Sequence, residues 1–367
     1  MPEWRPAARA DPPWAVPVYF VGDSRSRTYN KTAAMFDRLS QLSPLCHFFE
    51  LAVPLHATGV RRRWLQLRTF AKLYSYLAAR QHPSGTLWLS EFNFTPITTL
   101  VCWLLARRFG MRLVSGPHNL RWDSRMLLSE QGTPRTGLLP RWMRRALDNL
   151  LDRLSIASLD AVHSYSAPYL ERIQGVANAR DKDSIVFPIG VPLAMLGMPK
   201  PSRAAGARQK IPLRIVFWGM PSIFHGIELL PDIVRILSDS NIPATVTLFC
   251  PPSPRISHIL SRAAELSVSK AFSIDHETRI SGDYARLNQF DVGVSHLIGP
   301  NLPEEAREMC DAMFTTNKLS EALALQLPVL GARTRALGIM ENHPGVLLCE
   351  PADPASAAAA LRWLARD

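Results

Sequence analysis

The stretch IVFWGMPSIFHGIELL, residues 215–230, starts as a run of β-branched and aromatic residues, breaks at Gly219 and Pro221, and resumes as an apolar segment after Gly226. A short apolar run bounded by turn residues is the pattern of a strand covered on both faces. The reading is a strand over 213–218, a loop at its carboxyl end and a helix over 226–238. Downstream the alternation continues with strands at 244–249, 271–274, 291–297 and 328–332 and helices at 254–266 and 318–326. Upstream, strands are expected near 16–22, 46–52, 86–91, 111–115, 160–164 and 184–189. Strands alternating with helical periodicity predict an α/β protein built on parallel sheets with crossover helices.

Two upstream helices carry particular signals. Thr95 and Pro96 open one as N-cap and first residue; it runs through LVCWLLARRF and stops at Gly110. Apolar on most faces, it is expected to be buried. Another begins near Pro140 and places Met143, Leu147, Leu150, Leu151 and Leu154 at intervals of three and four, with Arg141, Arg144 and Arg145 on its other side.

At 367 residues the chain has room for two domains. Residues 192–212 (PLAMLGMPKPSRAAGARQKIP) lose periodicity and gain Pro, Ala, Gly and basic residues, so the linker is placed there. The expected organisation is two Rossmann-like domains, 1–191 and 213–367, facing across a cleft. A hydrophobic share of 47% with 20% charged residues excludes a disordered or fibrous chain. Forty-two Lys and Arg against thirty-one Asp and Glu leave +11, which favours anionic partners. Five scattered cysteines (46, 102, 250, 310, 349) with no CxxC pair point to a reducing, cytoplasmic setting without a disulfide framework or zinc site. The amino terminus lacks the order of a secretion signal, and the longest apolar stretch, Ile97 to Ala106, is too short to span a bilayer.

Ligands of open α/β sheets collect beyond the carboxyl ends of strands, where free N–H groups point outward. Those positions hold Gly22 to Lys31, Glu91, Gly116 to Asn119 and Ser164 to Ser166 in the first half. In the second they hold Gly219 to Gly226, His296, Thr315 to Glu321 and Arg333 to Gly338. The first βα turn has one glycine and no GxGxxG, which removes the main support for a dehydrogenase. In TTNKLSEALALQLPVLGA (315–332), Thr315, Thr316 and Asn317 can cap a helix whose first turn aims N–H groups at a phosphate, with Glu321 one turn in, able to accept from ribose hydroxyls. Glu321 equally suits a plain complement to the helix dipole or a partner for Lys318.

Taken in order, these pieces resemble the GT-B glycosyltransferases, specifically the retaining group called family four. Residues 215–230 look like that family's strand, phosphate loop and helix, FDVGVSH (290–296) like its next strand, and NKLSEALALQLPVLGA (317–332) like its donor-site helix and strand. GPHNL (116–120), DAVHSYSAPYLERI (160–173) and FPIGV (187–191) fall in the family's order. The resemblance covers nearly the whole chain. It implies a nucleoside diphosphate sugar held by the second domain, a glycan or lipid-linked glycan acceptor held by the first, and transfer with retention; no metal is expected, because no His/Cys set has ligand spacing.

Carried over by residue, Glu321 is the second carboxylate of the family's E-x7-E motif and would hold the donor ribose, while the first position is Met313. Gly219, His225, His296, Thr315, Thr316, Asn317 and Lys318 complete the donor set. The family's basic pair in the phosphate loop is replaced by Met220 and His225, so a protonated His225, Lys318, Arg333 or Arg335 has to supply the charge a departing diphosphate needs. His118 matches a family histidine beside the sugar and acceptor. Ser24, Arg25, Arg27, Asn30, Lys31 and Glu91 form the acceptor set, the cations suiting phosphate or carboxylate.

Arg61, Arg62, Arg63 with Trp64, and Arg141, Arg144, Arg145 with Trp142, are clusters of the kind that hold a protein to anionic lipid, placing it peripherally at the inner face of the cell membrane. Asp181-Lys182-Asp183 has the form of a metal-binding DxD but reads as chance in its loop. Nucleic acid is not expected, since no aromatic-interleaved basic platform is present. Two alternatives stand beside transfer: a nucleotide-sugar 2-epimerase on the same fold, and a degenerate domain that binds a glycan or partner without catalysis.

Overall fold

The computed structural model describes residues 17–22, 45–50, 59–79, 85–89, 95–117, 120–123, 140–186, 191, 195, 212–278, 280, 283–313 and 317–366. The amino-terminal elements are β1 (Val18–Gly22), β2 (Cys46–Glu50), α1 (Gly59–Ala78), β3 (Thr86–Leu89), α2 (Pro96–Arg108), β4 (Arg112–Ser115), α3 (Arg141–Ala157), β5 (Ala161–Ser164), α4 (Ala167–Ala177) and β6 (Asp183–Val186). They form one parallel sheet in the order β2-β1-β3-β4-β5-β6. Val18, Phe20, Trp88, Val114 and Ala161 cluster in its core.

The carboxyl-terminal elements are β7 (Leu213–Trp218), α5 (Leu230–Asp239), β8 (Ala244–Phe249), α6 (Pro254–Glu265), β9 (Phe272–Asp275), β10 (Val292–Val294), α7 (Glu304–Met313), α8 (Asn317–Ala324), β11 (Val329–Ala332), β12 (Val346–Cys349) and α9 (Pro354–Arg366). Their sheet is also parallel, in the order β12-β11-β10-β7-β8-β9. The chain divides into two compact units, and Trp122, Asp123 and Tyr165–Arg172 group with the second of them.

Alternation along β7 shows why this run became a central strand. Leu213, Ile215 and Phe217 enter one apolar cluster with α5, α6 and α9, whereas Val216 and Trp218 enter another with α8 and Tyr284. A period of two feeds both faces, as a doubly covered strand requires. At the amino end, Asp291 accepts from the Arg214 backbone N–H at 2.8 Å and pairs with its guanidinium at 3.0 Å, tying β10 to β7.

The helix expected over 226–238 begins later. Two short 3-10 turns, Ile223–His225 and Ile227–Leu229, precede α5. Gly226 between them is left-handed (φ 60), and a Cβ there would lie 2.8 Å from the Ile298 nitrogen. That conformation interrupts an α-helix and favours glycine, so regular helix starts only beside Pro231.

In α2 the Thr95 hydroxyl accepts from the Thr98 N–H at 3.2 Å and Gly110 (φ 64) follows the last turn, as the sequence predicts. Its expected full burial is corrected: Thr98, Thr99 and Cys102 point inward while Ile97, Leu100 and Leu104 are exposed. A helix with one side on a sheet cannot bury its whole circumference, and here the inward side takes Thr98, Thr99, Cys102, Leu105 and Ala106.

Candidate functional site

In the second sheet the strand order reverses between β7 and β10, whose crossovers leave in opposite directions and open a crevice at their carboxyl ends. Three segments meet there. After β7 comes Gly219 (φ 99), then Ser222 to His225; after β10 come Ser295 and His296; α8 precedes β11. The Leu297 N–H donates to the His225 carbonyl at 2.8 Å and the Ala332 N–H to the His296 carbonyl at 2.7 Å, so backbone bonds hold these ends together.

Lys318, in the first turn of α8, aims its Nζ into this junction. It lies 2.9 Å from His225 Nε2, 4.9 Å from the Phe217 ring centroid, and 3.4 Å from where a Cβ on Gly219 would stand. Gly219 thus leaves room for the amine and accepts a φ that side chains disfavour. His225 Nδ1 sits 2.7 Å from Ser222 Oγ. The Ser222 backbone N–H donates to the same Nδ1 at 3.3 Å, the reciprocal half of a capping box.

Burial, then Lys318, then His296 and Arg255 hold the His225 pKa well below its ordinary value. His225 is therefore neutral at pH 7 in this environment, and the positive charge expected of it resides on Lys318. Burial lowers Lys318 to about 8 against the opposing pull of Glu321, which leaves it mostly protonated at pH 7. His296, wholly buried, is lowered to about 3 by burial and Lys318.

Glu321 is 8% exposed. Its Oε2 accepts from the Trp218 indole N–H at 2.7 Å and its Oε1 from the Tyr284 hydroxyl at 2.9 Å. The side chain is held in one orientation, and each oxygen has a further lone pair. Asn317 Oδ1, at the start of α8, is buried and finds no partner among the described residues. A buried acceptor left unmatched in a folded chain calls for a donor from elsewhere. The helix ends with Gln326 left-handed and Leu327 N–H donating to the Ala322 carbonyl at 2.9 Å, a Schellman-type stop that turns the chain into β11.

Of the expected donor set, Gly219, His225, His296, Lys318 and Glu321 converge at the β7 and β10 ends, with Asn317 opening the same helix. Thr315 and Thr316 lie outside the described residues, as do His118, Ser24, Arg25, Arg27, Asn30, Lys31 and Glu91. Arg333 pairs with Glu341 and Glu350, and Arg335 with Asp311, so both have carboxylate partners. Asp183 pairs with Arg112 where β6 and β4 begin, and Lys182 donates to the Ala157 and Leu159 carbonyls, which puts Asp181-Lys182-Asp183 at the amino end of its sheet. Among the described residues no group of three His, Cys, Asp or Glu is placed to hold a metal ion.

Sequence reasoning missed Trp218, Tyr284 and Ser222. Trp218 carried a usable signal, being the last residue of β7 on the face shared with Val216. Ser222 stands three residues before His225, the spacing of a capping box. Tyr284, in a short 3-10 turn far along the chain, offered none.

The two depressed histidines predict an acid-labile fold. In the unfolded chain they titrate near pH 6.5, whereas in the fold they stay neutral, so below that pH the unfolded state binds protons the native state does not. The histidines' contribution is complete above about pH 6.5 and falls as pH decreases, by up to ~1.4 kcal/mol per pH unit for each histidine. Thermal denaturation between about pH 7 and pH 5 checks this, with a shallower fall expected for His225→Gln.

No family model matches the sequence, and no curated protein matches it. The structure is similar to sucrose-phosphate synthase from Thermosynechococcus elongatus (16% identity, TM-score 0.60, 96% of this chain and 90% of that one). It is similar to Anabaena HepE in complex with UDP (12% identity, TM-score 0.59, 96% and 90%). It is also similar to a UDP-forming trehalose-phosphate synthase from Burkholderia xenovorans (12% identity, TM-score 0.57, 95% and 90%).

Proposed function

We propose that this chain, which has the GT-B fold, is a glycosyltransferase that moves a sugar from a nucleoside diphosphate sugar to a glycan or lipid-linked glycan with retention at the anomeric carbon. The carrying observation is the junction of Gly219, His225, Lys318 and Glu321 where β7 and β10 part. That junction offers one ammonium, a glycine-opened backbone loop and an oriented carboxylate, which match a diphosphate and a ribose. Similarity to a structure solved with UDP supports the same reading.

In the transfer the bond from the anomeric carbon to the diphosphate oxygen breaks and a bond to an acceptor oxygen forms on the same face. The acceptor proton passes to the departing diphosphate oxygen. The main electrostatic task is to neutralise that leaving group. Lys318 supplies the charge, neutral His225 lies 2.9 Å from its ammonium, and Glu321 orients the nucleoside. No step in this account needs a metal. An acceptor carried on lipid would bring the enzyme to the cytoplasmic face of a membrane.

The test is a thermal-shift panel of uridine, guanosine, cytidine and thymidine diphosphates, followed by incubation with the sugar nucleotide of the responding base. A shift with one base and slow release of the free diphosphate and sugar support the proposal. An isomerised nucleotide sugar makes the protein an epimerase instead. No response to any diphosphate overturns donor binding and leaves the non-catalytic alternative.

A further inference from the structure

The turn that carries His225 is held from outside itself. Its Ile223 carbonyl accepts from the Gly299 N–H at 3.2 Å, and its His225 carbonyl from the Leu297 N–H at 2.8 Å. Ile298, between those two donors, is left-handed (φ 59), a conformation that a β-branched side chain resists. Such a residue persists only where its surroundings over-determine it. Here the surroundings are one apolar cluster, which joins Ile298 to Ile223, Phe224, Ala306, Met309 and Trp122.

Trp122 comes from the first half of the sequence yet groups with the second unit. It is buried, and its indole N–H donates to Glu305 Oε2 on α7 at 3.3 Å. The next residue, Asp123, is 1% exposed; it accepts from Arg172 Nε and Nη2 at 3.1 and 2.8 Å and from the Tyr169 hydroxyl at 3.1 Å. A buried carboxylate answered by a guanidinium fork and a hydroxyl leaves little choice of position. It ties the chain at Trp122 to α4. Just before that helix, the Ser166 hydroxyl accepts from the Tyr169 N–H at 3.2 Å and donates to the Ala312 carbonyl at 2.6 Å. α7 ends one residue later, at Met313, and α8 with Lys318 starts at Asn317.

The network therefore has two ends at the crevice. Trp122 backs the turn that carries His225, and Ser166 holds the end of the helix that leads towards Lys318. These are the two partners of the 2.9 Å contact between Lys318 Nζ and His225 Nε2. We infer that Trp122 and Ser166 are positioning residues that set this separation from behind, through Ile223 and Phe224 on one side and the end of α7 on the other. The use of the contact to hold a diphosphate rests on the donor reading, whereas its dependence on this network does not.

Lys318 is the reporter. It faces His225 after β7, His296 after β10 and Glu321 on its own helix, with Arg255 of α6 acting on His225. Trp122→Leu and Ser166→Ala should each move the Lys318 titration, followed by NMR at the side-chain Cε, up from about 8 towards 10.5 as the junction loosens and admits water. Diphosphate affinity at pH 7 should fall about tenfold in Trp122→Leu, and Trp122→Phe, which keeps a ring in the cluster, should restore most of it. Leu361→Ala, on α9 in the other apolar cluster, should lower the melting temperature and leave the Lys318 titration in place. A Lys318 titration unchanged in either Trp122→Leu or Ser166→Ala, or moved as far by Leu361→Ala, overturns the inference. A parent chain that binds no diphosphate overturns the donor reading instead, and the Lys318 shift still decides this one.

Discussion

A Lys318→Met variant should melt at a higher temperature than the parent chain at pH 7 and yet bind nucleoside diphosphate about 10–100-fold more weakly, the loss expected for a hydrogen bond to a charged group. The two effects share one cause. Burial lowers Lys318 from 10.5 to about 8, so holding its ammonium in the fold costs free energy that the unfolded chain does not incur. Between these values the unfolded state binds more protons than the native state, and stability rises with pH through that window. Below pH ~8 the penalty is present in full, roughly 3 kcal/mol at most, because Lys318 is only partly withdrawn from solvent. Methionine keeps the hydrocarbon contact with Phe217 and removes the penalty. It also removes the charge that a diphosphate would neutralise.

The same residue sets the expected pH profile. Diphosphate affinity of the parent chain should hold up to pH ~8 and weaken above it, by up to tenfold per pH unit, as the ammonium is lost. The variant should show a flat profile from a weaker starting point. Calorimetric titration from about pH 7 to pH 9.5, paired with thermal denaturation at pH 7, checks both limbs. A variant that is less stable and binds diphosphate normally would make Lys318 a structural residue.

Much of the fold was legible because strands covered on both faces announce themselves as apolar runs. β7, β8 and β11 lie where those runs predict them, and Thr95, Pro96 and Gly110 bound α2 as their cap chemistry requires. Residue type could not show which side of a helix faces the sheet. The three-and-four spacing of Met143, Leu147, Leu150 and Leu154 reads as a core stripe, yet buried Asp148 and Asp152 claim the inward side. The onset of α5 was obscured for a different reason. Gly226 looks like a phosphate-loop glycine, but its left-handed φ beside the Ile298 backbone also stops the helix from starting.

At the site, position along the chain was easier to read than state. Strand-end reasoning finds Gly219, His225, His296, Lys318 and Glu321, because parallel sheets present their loops at one end. The protonation states depend on burial and on distances between segments about ninety residues apart, such as Lys318 to His225, which periodicity does not encode. The donors that hold Glu321 were hidden likewise, since Trp218 and Tyr284 approach it from elements 103 and 37 residues away.

Those donors make Glu321 the sharpest test of the donor reading, through a pair of substitutions. Glu321→Ala should leave the Trp218 N–H and the Tyr284 hydroxyl without a partner in the core, at about 1–3 kcal/mol for each group. Any loss of binding in that variant would be mixed with loss of fold. Glu321→Gln separates the two. Its amide oxygen can accept from Trp218, and the tyrosine hydroxyl can rotate to accept from the amide N–H, so the internal bonds survive and stability should change by less than ~1 kcal/mol. A ribose meets a different surface. The carboxylate has two oxygens with lone pairs to spare, whereas the amide has one oxygen and directs N–H at the other hydroxyl. Diphosphate affinity should therefore fall about 10–100-fold in Glu321→Gln at nearly unchanged melting temperature, measured by calorimetry and thermal denaturation on the same samples. If Glu321→Gln binds as tightly as the parent chain while Glu321→Ala unfolds readily, the carboxylate is a strut between β7, α8 and the turn at Tyr284. The nucleoside would then have to be held by other groups, and Asn317, with its unmatched buried oxygen, would be the first to examine.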